Sequence, residues 1–152
     1  MKVVIQRVTQ SSVRIDGLVH SAIGRGLLLL LGIEDSDTQR DIDYLARKIA
    51  NLRIFADEAG VMNLSVKDTG GDILAVSQFT LLADTRKGNR PSYIRASKPD
   101  FAVPVYEKFC RALSIELGKE IKTGVFAADM QVELVNDGPV TIIINSELCS
   151  KS

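Results

Sequence analysis

The chain has 152 residues, of which 45% are hydrophobic and 25% charged, so it is long enough for one globular domain with its own core. Its 19 basic residues balance its 19 acidic residues, which excludes nucleic-acid binding through overall charge and leaves only a local basic patch for such a role. Two cysteines are too few for a disulfide-rich secreted framework, and the first residues have no signal-peptide pattern. The longest apolar run is too short to cross a bilayer. We therefore expect a cytoplasmic protein without a membrane segment.

The first 33 residues are predicted to form strands. Val3, Ile5 and Val8 give an apolar strand pattern, and Asp16-Gly17 is a hairpin-turn dipeptide between two short strand patterns. The run LLLLLGI, residues 27–33, has the length of a strand and no polar face. We therefore expect this strand to be buried on both faces.

A helical period follows, because apolar residues between positions 42 and 52 recur at spacings of three and four. Ser36, with Gln39 three residues later, matches a capping box and predicts where this helix begins. A loop is predicted over residues 57–63. Residues 64–79 are then predicted to form a pair of strands around Gly70-Gly71.

The second half of the chain is predicted as a loop over residues 83–98, a second helix, and two strands. The helix should end at Gly118, and Pro104 should lie in its first turn or kink it. Strands are predicted over residues 124–135 and 139–145, with NDG as the turn between them, followed by the polar stretch SELCSKS.

The order βββ-α-ββ-α-ββ predicts an α/β fold. We expect mixed, mainly antiparallel sheets that form a two-sheet or partly closed barrel with two flanking helices. Residues 1–146 are predicted to be a single domain and residues 147–152 a polar C-terminal tail.

The stretch DILAVSQFTLLAD, residues 72–84, places Ser77, Gln78 and Thr80 around Phe79 inside an apolar run. Polar groups in such a run need partners or a purpose, so Ser77 and Thr80 could be nucleophiles, ligand-binding donors or satisfied residues at a strand end. No G-x-S-x-G elbow or phosphate loop is present, and the single histidine and two distant cysteines do not have the spacing of a zinc site. We expect no bound metal or cofactor.

The loop over residues 85–99 contains five cations and no acid, with Tyr93 available for stacking. On charge alone it is either a solvated loop or a surface for phosphate or RNA. The stretch NDGPVT, residues 136–141, has the composition of a turn. A cis Gly138-Pro139 bond would instead present two carbonyls as rigid acceptors.

These stretches resemble the D-aminoacyl-tRNA deacylases of the bacterial and eukaryotic type. SQFTL at 77–81 and NDGPVT at 136–141 are the most specific matches, and KGNRPSY at 87–93 and FAADMQVELVNDGP at 126–139 add to them. The resemblance covers nearly the whole chain. It implies a mixed α/β homodimer without a bound metal that hydrolyses the ester between a D-amino acid and tRNA, and also removes glycine from mischarged tRNA.

The resemblance also implies a role for particular residues. The SQFT segment would line the pocket for the terminal adenosine and the aminoacyl group, and Gly138-Pro139 would be a Gly-cisPro motif that enters the active site of the other subunit. Its carbonyls would reject an L side chain and admit D side chains and glycine. The implied residues are Ser77, Gln78, Phe79 and Thr80 in the catalytic pocket, Gly138, Pro139 and Arg7 in chirality selection, Met130 in the pocket wall, and Arg86, Lys87 and Arg90 near the acceptor end of tRNA.

The mechanism that we favour at this point is substrate-assisted. No histidine supplies a base, whereas the substrate carries a 2′-hydroxyl beside the ester. The resemblance implies that backbone N–H groups near Phe79 and Thr80 would hold the oxyanion. Thr80 as a covalent nucleophile is the alternative, although it needs an adjacent base. Two further readings stay open: an RNA-binding module without catalysis, and a hydrolase of small free esters.

Overall fold

The computed structural model describes residues 1–149, which form eight strands, three helices and one 3₁₀ turn. The strands are β1 (Lys2–Ile15), β2 (Leu18–Ile23), β3 (Gly26–Gly32), β4 (Phe55–Ala56), β5 (Met62–Leu64), β6 (Asp72–Ser77), β7 (Lys122–Thr123) and β8 (Gln131–Asn145). The helices are α1 (Gln39–Asn51), α2 (Pro99–Leu117) and α3 (Ser146–Cys149), and the 3₁₀ turn is Phe79–Leu82.

The main sheet is mixed, barrel-like and nearly closed. Its order is β2-β1-β3-β6-β7. Residues 2–8 of β1 pair with β3 and residues 11–15 with β2, and β8 pairs with β1 along residues 2–14. The pairs of β3 with β6 and of β6 with β7 are parallel, and the other pairs are antiparallel. The predicted fold class is confirmed, with a second, two-stranded sheet of β4 and β5.

Strand β3 is buried on both faces, as its continuous apolar run predicts. Leu27, Leu29 and Leu31 belong to the core cluster that also contains the buried faces of α1 and α2. Leu28 points the other way and packs in a second cluster with Leu74 of β6. Because side chains alternate along a strand, two separate cores on its two sides require apolar residues at every position.

Helix α1 has the predicted apolar stripe, since Ile42, Leu45 and Ile49 are all buried. The predicted capping box of Ser36 and Gln39 is wrong. Thr38 is the N-cap, and its backbone N–H donates to the Asp41 carboxylate at 2.8 Å. Ser36 cannot take this role because it lies inside a turn that residues 34 and 37 close before the helix begins.

The predicted strand pair around Gly70-Gly71 is also wrong. The residues before Gly70 form turns in which Ser65 N–H donates to the Asp68 carboxylate at 2.9 Å and Gly71 N–H donates to the Val66 carbonyl at 3.0 Å. Only the second half of the predicted pair is a main-sheet strand, and it runs parallel to β3. The loop predicted over residues 57–63 contains the start of β5, which pairs with β4.

The end of the chain forms one strand instead of two. Residues 124–130 are irregular, with Ala127 at φ 63°, and β8 then continues through the NDG stretch that was predicted as a turn. Pairing with β1 extends along most of both strands, and shifts of register around Val8 absorb the irregularity. Residues 137–140 have no partner in this register, so β1 pairs with the chain before and after them while they bulge out of the pairing.

Helix α2 ends as predicted at Gly118, which has φ 83° and donates its N–H to the Ser114 carbonyl at 3.0 Å. It begins at Pro99, so Pro104 lies inside the helix; of the two alternatives predicted for Pro104, the place in the first turn is wrong. The polar stretch after Asn145 begins as α3, with Ser146 buried, and residues 150–152 lie outside the described residues. None of the helices described in residues 1–149 is long and apolar enough to cross a membrane.

Tyr106 connects α2 to the strand that leads into the polar segment, because its hydroxyl donates to the Ala75 carbonyl of β6 at 2.7 Å. Burial raises the pKa of Tyr106, so the hydroxyl remains a donor. We expect Tyr106→Phe to lower the free energy of unfolding by about 1 kcal/mol, because Gly124 N–H still donates to the same carbonyl. Urea unfolding measures this change, and Tyr93→Phe, at a half-exposed ring, should change stability by less than about 0.5 kcal/mol. Equal losses in the two variants would contradict the assignment.

Candidate active site

The polar segment singled out in the sequence lies where β6 ends and the chain turns. Ser77 is the last residue of β6, and Gln78 N–H donates to the Leu31 carbonyl at 2.7 Å, which continues the parallel pairing with β3. The 3₁₀ turn follows at once. A Cβ at Gly32 would lie 3.3 Å from side-chain atoms of Leu81 and Leu82, so the turn packs closely on the end of β3.

The first N–H groups of this turn are unpaired within it. Leu81 N–H donates to the Gln78 carbonyl at 3.2 Å and Ala83 N–H donates to the Thr80 carbonyl at 3.1 Å, so the N–H groups of Phe79 and Thr80 have no acceptor inside the turn. The Thr80 hydroxyl accepts a hydrogen bond from the Gln78 side-chain amide. Thr80 is thus fixed by an amide donor, which is not a base.

A cavity of about 650 Å³ opens beside this turn, a size typical of small-molecule sites. Ser77, Gln78 and Phe79 form one part of its lining, and Met130 forms another. Thr80 is not among the described lining residues, and its hydroxyl contacts the side chain of Gln78, which is. The lining also includes residues that the sequence reasoning did not assign to the pocket: Leu31, Ile33, Val76, Ala96, Ser97, Ala102, Phe126 and Val132.

Two exposed aromatic rings belong to this lining. Phe79 is 55% exposed, and its ring meets that of Tyr93 edge to face, with centroids 5.2 Å apart. Exposed rings beside a cavity are suited to contact with a planar ligand such as a base. Tyr93 belongs to the basic loop over residues 85–99, and its aromatic ring was the only local sequence signal for a place in the pocket.

Arg7 lies beside the Gly138-Pro139 segment. Arg7 Nε donates to the Asp137 carbonyl at 3.0 Å, and its Nη1 donates to the Ile54 carbonyl at 2.6 Å. The Gly138-Pro139 bond is cis, and both residues are exposed. Neither residue, nor Arg7, is among the described residues that line the cavity of the same chain.

The cations of the loop differ in their surroundings. Arg86 binds the Asp84 carboxylate with Nε at 2.9 and 3.0 Å from its two oxygens, and the hydrogen bonds from Arg86 lower the pKa of Asp84 to about 2. The carboxylate therefore stays ionised and compensates the charge of Arg86 at neutral pH. Lys87 and Arg90 are exposed and are not among the described lining residues, whereas Lys98 lines the cavity.

Comparison with known proteins identifies the family. A family model described as D-Tyr-tRNA(Tyr) deacylase matches residues 4–145. A Porphyromonas gingivalis protein named D-aminoacyl-tRNA deacylase is 64% identical over 146 residues, which are 96% of this chain and 97% of the relative. A protein of the same name from Parabacteroides distasonis is 63% identical over 147 residues, which are 97% of this chain and 98% of the relative.

Two solved structures have a similar fold. One, titled c-Myc DNA Unwinding Element Binding Protein, is 47% identical with a TM-score of 0.88 and covers 95% of this chain and 98% of its own. The other, titled as a "probable eukaryotic D-amino acid tRNA deacylase", is 17% identical with a TM-score of 0.81 over 94% of this chain and 97% of its own, and it shows the fold alone. The sequence relatives and the fold define a hydrolase that acts on ester bonds. The chain belongs to the D-Tyr-tRNA(Tyr) deacylase family, and the resemblance stated from its motifs is confirmed.

Proposed function

We propose that the protein hydrolyses the ester of D-aminoacyl-tRNA, and of tRNA mischarged with glycine, as a translation proofreading enzyme in the cytoplasm. One observation carries the proposal: the turn at Phe79–Leu82 begins at the edge of a cavity and leaves two neighbouring N–H groups without acceptors in the turn. Paired N–H groups of this kind suit the oxyanion that forms during ester hydrolysis.

The reaction then needs a water molecule and a route for its proton. The water oxygen bonds to the ester carbonyl carbon, the N–H groups of Phe79 and Thr80 stabilise the oxyanion, and the bond to the 3′-oxygen breaks. The 2′-hydroxyl of the terminal adenosine orients the water and relays its proton to the leaving 3′-oxygen. The hydroxyl, amide and phenyl side chains of residues 77–79 offer no base for this step, which supports a role for the substrate.

Thr80 is proposed as a positioning residue of this site. A threonine nucleophile needs a neighbouring base to take its proton, and the partner of the Thr80 hydroxyl is the Gln78 amide, which donates to it. The contact instead orders the turn that carries the two N–H groups.

Selection against L-amino acids is proposed to come from the Gly138-Pro139 pair of a second copy in a homodimer. The pair is exposed, held by the Arg7 contact to Asp137, and absent from the described lining of its own cavity. Carbonyl oxygens facing the α-carbon would collide with an L side chain, while a D side chain points away and glycine has none. The acceptor end of tRNA would lie near Arg86, Lys87 and Arg90.

Nucleic-acid binding without catalysis is a second candidate, because a structure 47% identical to this chain has a title that describes a DNA-element-binding protein. It predicts retention of the nucleic acid with no release of amino acid. A hydrolase of small esters would need neither the basic loop nor tRNA.

The deciding experiment follows release of the amino acid from D-Tyr-tRNA, L-Tyr-tRNA, Gly-tRNA and D-tyrosine methyl ester. We expect D-Tyr-tRNA and Gly-tRNA to be hydrolysed, L-Tyr-tRNA at least about 100-fold more slowly, and the methyl ester negligibly. Protection of the D-Tyr-tRNA ester would favour the binding module. Rapid hydrolysis of the methyl ester would favour the small-ester hydrolase.

A further inference from the structure

Residues 93–98 of the basic loop form a wall of the cavity, to which Tyr93, Ser97 and Lys98 contribute. The segment has no helix or strand of its own, and Ala96 N–H closes its turn by donating to the Tyr93 carbonyl at 3.0 Å. Its position must therefore be set by contacts with other parts of the molecule.

Those contacts lead to the residues directly after β3. Ser97 N–H donates to the Ile33 carbonyl at 3.0 Å, and Ser97 Oγ donates to the Asp35 carboxylate at 2.7 Å. Arg95 Nη2 lies 2.6 Å from Oε1 of Glu34. We call the Arg95–Glu34 and Ser97–Asp35 pairs the clamp.

The residues that follow β3 and carry the acidic side of the clamp are held in place by Asp37. Glu34 N–H donates to the Asp37 carboxylate at 2.8 Å, and Asp37 N–H donates back to the Glu34 carbonyl at 3.1 Å. The Asp37 carboxylate also binds the α-ammonium group of Met1, and both residues are buried. The clamp thus joins the cavity wall to a rigid part of the core.

The two cations of residues 93–98 have different surroundings, because Arg95 is paired with an acid and Lys98 lines the cavity. The Glu34 side chain is only 11% exposed and forms an ion pair with Arg95. The Arg95 guanidinium is therefore already paired and is not the cation that we assign to a phosphate. Lys98 is the only lysine or arginine among the described residues that line the cavity, and Asp129 is the only acid among them. Lys98 and the rings of Phe79 and Tyr93 together form a surface for an anion joined to a planar base.

We propose that Lys98 holds the 5′-phosphate of the 3′-terminal nucleotide and that Arg95 is a positioning residue, which acts through the clamp to place Tyr93 and Lys98 around the cavity. The identity of the nucleotide as the end of a tRNA rests on the proposed function. The arrangement itself rests on the contacts of residues 93–98 with residues 33–35.

The test measures binding of adenosine 5′-monophosphate and of adenosine by calorimetry, which does not require catalysis. We expect the wild type to bind the monophosphate about tenfold more tightly than adenosine, as one charge-assisted contact allows. Lys98→Gln should remove this preference and leave adenosine binding unchanged. Lys108→Gln, at an exposed lysine of α2 that does not line the cavity, is the matched control and should keep the preference.

The clamp is tested by Arg95→Glu, Glu34→Arg and the two changes together. Each single change should reduce the preference for the monophosphate at least about threefold, and the reversed pair should recover most of it, because the ion pair is restored. Ser97→Ala removes one clamp contact without altering any charge, and it should lower the affinity for both ligands. It tests the clamp even when Glu34→Arg does not fold.

An equal affinity of the wild type for the two ligands would overturn the Lys98 assignment. Failure of the reversed pair in a folded protein, with full binding by Ser97→Ala, would overturn the clamp. These results are distinct from a failure of the proposed function, in which the monophosphate is still preferred but D-Tyr-tRNA is not hydrolysed.

Discussion

D-Tyr-tRNA that ends in 2′-deoxyadenosine is expected to be hydrolysed at least about 100-fold more slowly than the same tRNA ending in adenosine, the lower range for loss of one general acid–base contribution. The reason is the chemistry of the turn beside the cavity, where Ser77, Gln78 and Phe79 provide no group that titrates near neutral pH. Single-turnover rates at saturating enzyme measure the chemical step directly.

Thr80→Ala is the matched enzyme variant for this comparison. It removes the hydroxyl that accepts from the Gln78 amide but leaves the backbone N–H of residue 80, so we expect its rate on the natural substrate to stay within about tenfold of wild type. An inactive Thr80→Ala together with rapid hydrolysis of the deoxy substrate would reverse the assignment and make Thr80 the nucleophile.

The parts of the fold that the sequence predicts well are those with a strong local pattern. A continuous apolar run identified β3 as a strand buried on both faces, and a three-and-four period identified the buried stripe of α1. In both cases the periodicity is a direct consequence of which side chains face a core, so the signal is contained within a few neighbouring residues.

Features that depend on distant partners were not predictable in this way. The NDG stretch has every local property of a turn, yet it continues β8 because β1 supplies a pairing partner on both sides of it. Ser36 and Gln39 matched a capping box, but the turn closed by Glu34 and Asp37 moves the helix start to Thr38. Local propensity is a weak prior, and tertiary contacts override it.

The site shows the same division. The motif around Ser77 identified the turn beside the cavity, because polar residues in an apolar run are visible in sequence. The number of charges in the loop does not show which cations are paired. Arg86 and Arg95 have acidic partners, whereas Lys98 lines the cavity. Phe126 lay in a stretch predicted as strand, so its apolar character carried no signal for a pocket.

Arg7→Met is expected to lower the discrimination between D-Tyr-tRNA and L-Tyr-tRNA by about 10- to 100-fold. Arg7 is only 13% exposed on its side chain, and it ties the Asp137 carbonyl, directly before Gly138, to the Ile54 carbonyl. A hydrogen bond from a charged donor contributes about 1.5 to 3 kcal/mol, and about 1.4 kcal/mol corresponds to a tenfold change in rate. Without the guanidinium the carbonyls of the pair are no longer fixed, so rejection of the L side chain weakens more than acceptance of the D side chain.

The measurement is the ratio of kcat/KM for the two substrates in wild type, Arg7→Met and Arg14→Met. Arg14 lies on the same strand and is exposed, so its change matches the chemistry without touching the Asp137 carbonyl and should leave the ratio unchanged. Arg7→Lys keeps the charge but not the fork that reaches two carbonyls, and it should fall between wild type and Arg7→Met. Full discrimination in a folded Arg7→Met would mean that the Gly138-Pro139 segment keeps its place without this residue, and selection would then have to come from the walls of the cavity itself.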